Sequence, residues 1–126
     1  MSTEIAHRLV TATDALAKLL PEAEAEIMQI IWHQGCATMK QVHRICTQHR
    51  DIAYTSTMTT MSRLVAKGLL TRDHGHGLGG AYVYTPALSE QEFVAQRLTD
   101  ILSAVERDYP AALAWCLEMR SAAATL

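Results

Sequence analysis

The stretch Tyr54-Thr-Ser-Thr-Met-Thr-Thr-Met-Ser-Arg-Leu-Val-Ala-Lys-Gly68 predicts a helix with two unlike faces. The spacing i, i+4, i+7 and i+8 marks a buried stripe made of Thr57, Met61, Leu64 and Val65. The opposite face consists of Thr55, Ser56, Met58, Thr59, Ser62 and Arg63. Because Ser and Thr are weak helix formers, an exposed face built from them favours close approach to another molecule. Gly68 is the expected end of the helix.

Two further helices are predicted before this one. The first follows Pro21 and ends at Gly35, and the second begins where Thr38 and Gln41 form a capping-box pattern. Their apolar positions are Ala23, Ile27, Ile30 and Ile31 in the first helix and Val42, Ile45 and Cys46 in the second. The first turn of the first helix carries acidic residues, which its dipole favours, and these are Glu22, Glu24 and Glu26.

A hairpin is predicted after Gly68. Residues Leu70 to Arg72 and Ala81 to Thr85 have strand patterns, and the glycine-rich stretch from His74 to Gly80 between them suits a hairpin tip. Three helices followed by a two-stranded wing are the winged helix-turn-helix order, in which the third helix enters the major groove of DNA.

Helices are also predicted at both ends of the chain. We divide the sequence into an N-terminal accessory helix (1–20), a winged helix-turn-helix domain (21–87) and a helical dimerisation region (88–126). The accessory helix has an apolar stripe of Ile5, Leu9, Ala12, Leu16 and Leu19. In the C-terminal region, Ser89 and Glu92 form a second capping box and Pro110 fits the first turn of the last helix. The fold class is therefore mainly α.

Charge is unevenly distributed along the 126 residues, although the net charge is only −2. Between Gln34 and Asp73 there are six basic and two acidic residues, which gives this segment a net charge of +4. The rest of the chain has five basic and eleven acidic residues and a net charge of −6. A basic centre between acidic ends is typical of a binding surface on a non-binding scaffold. No stretch is long and apolar enough for a membrane span or a secretory signal, so we expect a cytoplasmic protein without membrane insertion.

Three blocks of sequence resemble the penicillinase repressor family (BlaI/MecI/CopY). They are Pro21-Glu-Ala-Glu-Ala-Glu-Ile-Met-Gln-Ile-Ile-Trp32, Ala53-Tyr-Thr-Ser-Thr-Met-Thr-Thr-Met-Ser-Arg-Leu-Val-Ala-Lys-Gly-Leu-Leu70 and Ala81-Tyr-Val-Tyr-Thr-Pro86. The resemblance covers about Leu20 to Phe93, and the middle block is its most specific part. It implies a homodimeric transcriptional repressor that dimerises through its C-terminal helices and binds a palindromic promoter operator on double-stranded DNA.

The resemblance and the helical spacing select overlapping candidate residues. Candidates for DNA contact are Thr38, Lys40, Tyr54, Thr55, Ser56, Met58, Thr59, Ser62, Arg63, Arg72, His74 and His76. Candidates for dimerisation are Val94, Leu98, Ile101, Leu102, Val105, Leu113, Trp115 and Leu117. Hydroxyls can donate to phosphates or base edges, Met58 can contact a thymine methyl, and Arg63 can reach phosphate or guanine. The first turn of the helix after Thr38 offers backbone amides to a phosphate.

The chain departs from the family in several places, two of which bear on its fold and its regulation. Ala25 stands where the family usually has Trp, and the accessory helix either fills the resulting gap or serves as a dimer arm. The lactam-responsive members are cleaved at an Asn-Phe bond, whereas this chain has Thr99-Asp-Ile-Leu102 there. A membrane-sensor protease, a ligand, a metal and thiol oxidation all stay open as the inducer.

Two classes of function other than DNA binding are open to a chain of this pattern. A winged helix that binds protein through the same face is the main alternative. No constellation of residues supports an enzyme, and we expect no cofactor. His43, Cys46 and His49 fall on successive helical turns and could hold a soft metal, as could His33 with Cys36. Because Cys46 lies on the apolar stripe, we favour a buried thiol over a metal ligand.

Overall fold

The computed structural model describes Leu16, residues 18–74 and residues 81–124. The elements along the chain are α1 (Glu22–Gln34), β1 (Ala37–Thr38), α2 (Met39–Thr47), α3 (Tyr54–Ala66), β2 (Leu70–His74), β3 (Tyr82–Pro86), α4 (Glu90–Asp108) and α5 (Pro110–Ala124). One compact unit ends at Glu90 and a second begins at Gln91. The predicted winged helix domain, with further helices after it, is confirmed.

The wing belongs to a three-stranded antiparallel sheet of order β1-β3-β2, which is one strand more than predicted. The hairpin pairs Leu70 with Pro86 at its base and His74 with Tyr82 near its tip. Strand β1 adds to the other edge of β3, where Ala37 pairs with Tyr84. Two residues are too few to show the alternation of a strand, so the sequence pattern could not reveal β1.

The helix boundaries follow local signals in the sequence. Gly35 and Gly68 end α1 and α3 with φ values of 87° and 78°, a backbone region that suits glycine. Thr38 and Gln41 form the predicted capping box: Thr38 Oγ1 accepts from the Gln41 amide at 3.3 Å, and the Thr38 amide donates to Gln41 Oε1 at 2.8 Å. Pro21 precedes the first residue of α1, as expected.

The core of the first unit contains most of the predicted apolar positions. Buried side chains at these positions are Ile27, Ile30, Ile31, Val42, Ile45, Cys46, Thr57, Met61 and Leu64. The prediction was wrong in detail for Ala23 and Val65, which are half-buried. Ala25, Met28 and Thr60 are buried instead. The buried face of α1 is therefore centred closer to Ala25 and Met28 than the sequence pattern indicated.

Glu24 lies in the first turn of α1, as predicted, and also makes a contact that the sequence did not indicate. Its side chain is only 1% exposed, and its Oε1 lies 2.6 Å from Nζ of Lys67. On the same helix, Glu26 pairs with Arg50 at 2.9 Å. The acidic residues of α1 thus hold the end of α3 and the loop after α2, because a carboxylate removed from water needs a nearby cation.

The accessory helix lies mostly outside the described residues. Of its predicted stripe, Leu16 is buried and its carbonyl accepts from the amides of Leu19 and Leu20 at 2.8 and 3.0 Å. Leu20 is also buried. Ile5, Leu9 and Ala12 fall outside the described part, so the filling of the space beside Ala25 by this helix stays a prediction.

The second unit consists of α4 and α5. Phe93 is buried, and Arg97 lies over its ring with Cζ 5.5 Å from the centroid. By contrast, the candidate dimerisation stripe is exposed or half-buried in the single chain, with Leu98, Ile101, Leu102, Trp115 and Leu117 between 43% and 66% exposed. Within the described residues, the helices are too short or too polar to cross a membrane.

Replacing Lys67 tests the importance of its ion pair with Glu24. In Lys67→Met the carboxylate of Glu24 stays buried without its cation, and we expect the free energy of unfolding to fall by about 1–3 kcal/mol. Lys67→Arg keeps a cation within reach and is the matched control, with a smaller expected loss. Urea denaturation of the three proteins measures the difference, and equal midpoints for all three would contradict a stabilising role.

Candidate nucleic-acid interface

The exposed face of α3 is the one predicted from the sequence. Thr55, Ser56, Met58, Thr59, Ser62 and Arg63 are all exposed. Met58 is a large apolar side chain with 45% of its surface in solvent. A shallow open depression of about 300 Å³ lies along this face, lined by Thr55, Ser56, Thr59, Thr60 and Arg63. The face is therefore mainly polar and accessible. Most of its side chains are short, so another molecule can approach the helix closely.

The hydroxyls of α3 differ in which hydrogen-bonding role they have left. Thr59 Oγ1 donates to the carbonyl of Thr55 at 2.9 Å, so its remaining capacity is to accept. This refines the expectation that the hydroxyls act as donors. Within the described residues, the hydroxyls of Ser56 and Ser62 make no intramolecular hydrogen bond and keep both roles. A DNA base edge presents donors as well as acceptors, and this mixture of hydroxyls can match both.

Tyr54 opens the same helix and is 42% exposed. Its ring meets that of His43 on α2 edge to face, with centroids 5.0 Å apart and an interplanar angle of 80°. Nδ1 of His43 lies 2.9 Å from Oγ1 of Thr57, one turn into α3. Neither contact has a local sequence signal, so the sequence pattern indicates His43 only as a candidate metal ligand.

The structure brings no metal-ligand cluster together from the described residues. His43 bonds Thr57 rather than facing Cys46 and His49 as a ligand set. Burial, together with the nearby carboxylate of Glu26, raises the pKa of the Cys46 thiol to about 12. Since metals bind the thiolate, Cys46 is better described as part of the core.

The start of α2 offers a second set of polar groups. The capping box uses an oxygen lone pair of Thr38 and the amide of Gln41, but not the hydroxyl proton of Thr38. Lys40 is exposed in the first turn. The hydroxyl of Thr38 and the ammonium of Lys40 can thus still donate to a phosphate, and contact of these residues with DNA stays a prediction.

On the wing, Arg72, His74 and Tyr82 form an exposed group. Cζ of Arg72 lies 4.7 Å from the centroid of the Tyr82 ring, and the rings of His74 and Tyr82 are 4.6 Å apart at an angle of 34°. Tyr82 was not a predicted site residue; its place opposite His74 in the hairpin was the signal that could have identified it. His76 lies outside the described residues.

The six cations of the basic centre divide into paired and unpaired side chains. Arg50 and Lys67 are paired with acidic residues of α1. The side chains without an ion pair in the described part of the chain are Lys40, Arg44, Arg63 and Arg72. The net charge of +4 counted for the basic centre overstated the positive charge available to a ligand. The acidic partners of Arg50 and Lys67 lie outside that segment and were not included in the count.

Comparisons with protein families and with individual curated proteins point to the same family. The penicillinase repressor family matches residues 20–125. Two curated relatives, each named transcriptional regulator BlaI, come from Mycobacterium tuberculosis strains CDC 1551 / Oshkosh and ATCC 25618 / H37Rv. Each is 33% identical over 94 residues, and the alignment covers 72% of this chain and 66% of the relative. The family match extends through α4 and α5 as well as the winged helix domain.

Proposed function

Because the chain belongs to the penicillinase repressor family, we propose that it is a homodimeric repressor that occupies a palindromic operator with the exposed face of α3. The family resemblance inferred from the sequence is confirmed. With it, the chain is assigned to DNA-binding transcriptional regulators and not to enzymes. The homodimer, the operator and the residues that read it are the content of the proposal.

The observation that carries the proposal is the open hydroxyl-rich face of α3. It combines Met58 and Arg63 with short polar side chains, and all are exposed. Arg63 is long enough to reach the guanine edge or a phosphate, and Met58 offers an apolar surface to a thymine methyl. Lys40 and Arg72, on α2 and the wing, supply further positive charge for the DNA backbone.

The second unit supplies the proposed dimer interface. Leu98, Ile101 and Leu102 expose between 43% and 47% of their surface on α4, and Trp115 exposes 66% on α5. Leaving such side chains in water forgoes about 25 cal/mol per Å² of apolar area. A second copy of the chain would cover this stripe, and two-fold symmetry would then place the two α3 helices in successive major grooves, about 34 to 36 Å apart. We retain the boundaries 1–20, 21–87 and 88–126 as part of the proposal.

Selection from a random pool of DNA duplexes tests the proposal directly. We expect the purified protein to enrich a two-fold symmetric site whose half-sites lie about 10 base pairs apart. Its affinity should fall steeply as salt rises, because each neutralised phosphate releases counterions. Weak binding without sequence preference would instead favour the alternative of a winged helix that binds protein.

Arg63 tests whether α3 reads bases. If its guanidinium contacts a guanine edge, Arg63→Ala should weaken binding to the selected site by about 1–3 kcal/mol and relax the base preference at one position of each half-site. Arg107→Ala removes a positive charge from the second unit and is the control for net charge. An equal loss on all sequences would assign Arg63 to a phosphate.

Leu102 tests the dimer interface. Leu102→Glu places a charge in the exposed apolar stripe of α4, and we expect the dimer to dissociate at least tenfold more readily because the charge would be buried. The control Ser103→Glu adds the same charge one residue later, off the stripe by helical spacing. Sedimentation measures both, and a Leu102→Glu protein that remains as dimeric as the wild type would exclude this interface.

A further inference from the structure

We propose that His43 is a positioning residue for operator recognition, which holds Tyr54 in the orientation that presents it to DNA. The inference rests on the proposed function and adds to it a residue of α2 outside the candidate contact set. It depends on two contacts that His43 makes with α3, one polar and one aromatic.

The polar contact fixes the imidazole. Nδ1 of His43 lies 2.9 Å from Oγ1 of Thr57, whose side chain is fully buried. A buried hydroxyl needs a hydrogen-bond partner, and His43 provides it from the neighbouring helix. Because the bond involves one particular ring nitrogen, it sets the rotation of the imidazole as well as its distance from α3.

The aromatic contact transfers that orientation to Tyr54. The two rings are 5.0 Å apart at 80°, the edge-to-face geometry that aromatic pairs favour. Tyr54 is the first residue of α3 and remains 42% exposed. His43 therefore contacts one part of Tyr54 while much of the residue stays in solvent, and the hydroxyl of a tyrosine can donate to the DNA backbone or to a base. Without the imidazole, the tyrosine would have to be ordered when DNA binds.

Three substitutions separate the two contacts. His43→Leu removes both, His43→Asn keeps a side-chain group able to bond Thr57, and His43→Phe keeps a ring against Tyr54. We expect His43→Leu and His43→Asn to raise the dissociation constant of the selected duplex about 2- to 12-fold, the range for one aromatic pair. His43→Phe should raise it less than either, because the ring stays against Tyr54 although the hydrogen bond that orients it is lost. The matched control is His33→Leu, which makes the same substitution at an exposed histidine of α1.

The order of the variants distinguishes positioning from stability. If His43 acts only by stabilising the domain, DNA affinity should follow the melting temperature, and the variant that keeps the hydrogen bond should bind best. If it positions Tyr54, the variant that keeps the ring should bind best whatever its melting temperature. In a Tyr54→Ala background, His43→Leu should then cost less than about twofold, because the residue it acts through is gone.

Two measurements keep the inference separable from the proposed function. The NMR signals of the Tyr54 ring in the free protein should shift in His43→Leu and not in His33→Leu, with no DNA present. If wild-type protein binds the selected duplex and His43→Leu binds equally well, the inference is overturned alone. If the wild type selects no duplex, the proposed function fails and the role of His43 in recognition fails with it, even where the NMR shift confirms the contact.

Discussion

The ion pair between the buried carboxylate of Glu24 and Lys67 is the constraint on which the placement of α3 depends. A carboxylate with 1% of its surface exposed is unfavourable in the interior unless a cation is close, and Lys67, at the C-terminal end of α3, lies 2.6 Å away. This ion pair therefore connects α1 to the C-terminal end of α3. At the other end of α3, Thr57 is bonded by His43 of α2. Between these points Met61 and Leu64 are fully buried. A helix held at both ends and along one side leaves its other side open.

That division explains the unusual number of hydroxyls in α3. Thr57 faces inward and bonds His43, whereas Thr60, also buried, donates to the carbonyl of Ser56 at 3.0 Å. Thr59 makes the same kind of bond but is exposed. A threonine whose hydroxyl donates to a backbone carbonyl of its own helix can lie on either face, because its polar group stays hydrogen-bonded even when it is buried. The weak helix propensity of these residues is offset by packing of the inward face, so the outward face can be selected for contact with a ligand.

Much of this fold could be predicted from the sequence because its signals are local. The capping box of Thr38, the stops at Gly35 and Gly68 and the spacing of Met61 and Leu64 each lie within one or two helical turns, and the structure has them where they were expected. The exposed face of α3 followed from the same spacing.

The missed features join distant parts of the chain. Glu24 and Lys67 are 43 residues apart, and His43 and Thr57 are 14 apart, so no periodic pattern connects them. Strand β1 exists only through its pairing with β3, which lies more than forty residues later. For the same reason the charge count over a sequence window failed to show that Arg50 and Lys67 are already paired. Residues close in sequence predict the helices and the hairpin strands. The partners of charged side chains and of buried hydroxyls become known only from the tertiary structure.

The internal pairing of charges also bears on how a chain of net charge −2 could bind DNA. Affinity for the DNA backbone depends on the cations that meet phosphates rather than on the net charge of the protein. Arg50 and Lys67 serve the fold, while Lys40, Arg63 and Arg72 lie on α2, α3 and the wing without ion pairs in the described part of the chain. These cations, present twice in a dimer, would supply the salt-dependent part of the affinity. Discrimination between sequences would then rest on the short-range contacts of α3, where small changes in the orientation of Tyr54 or Arg63 have their largest effect.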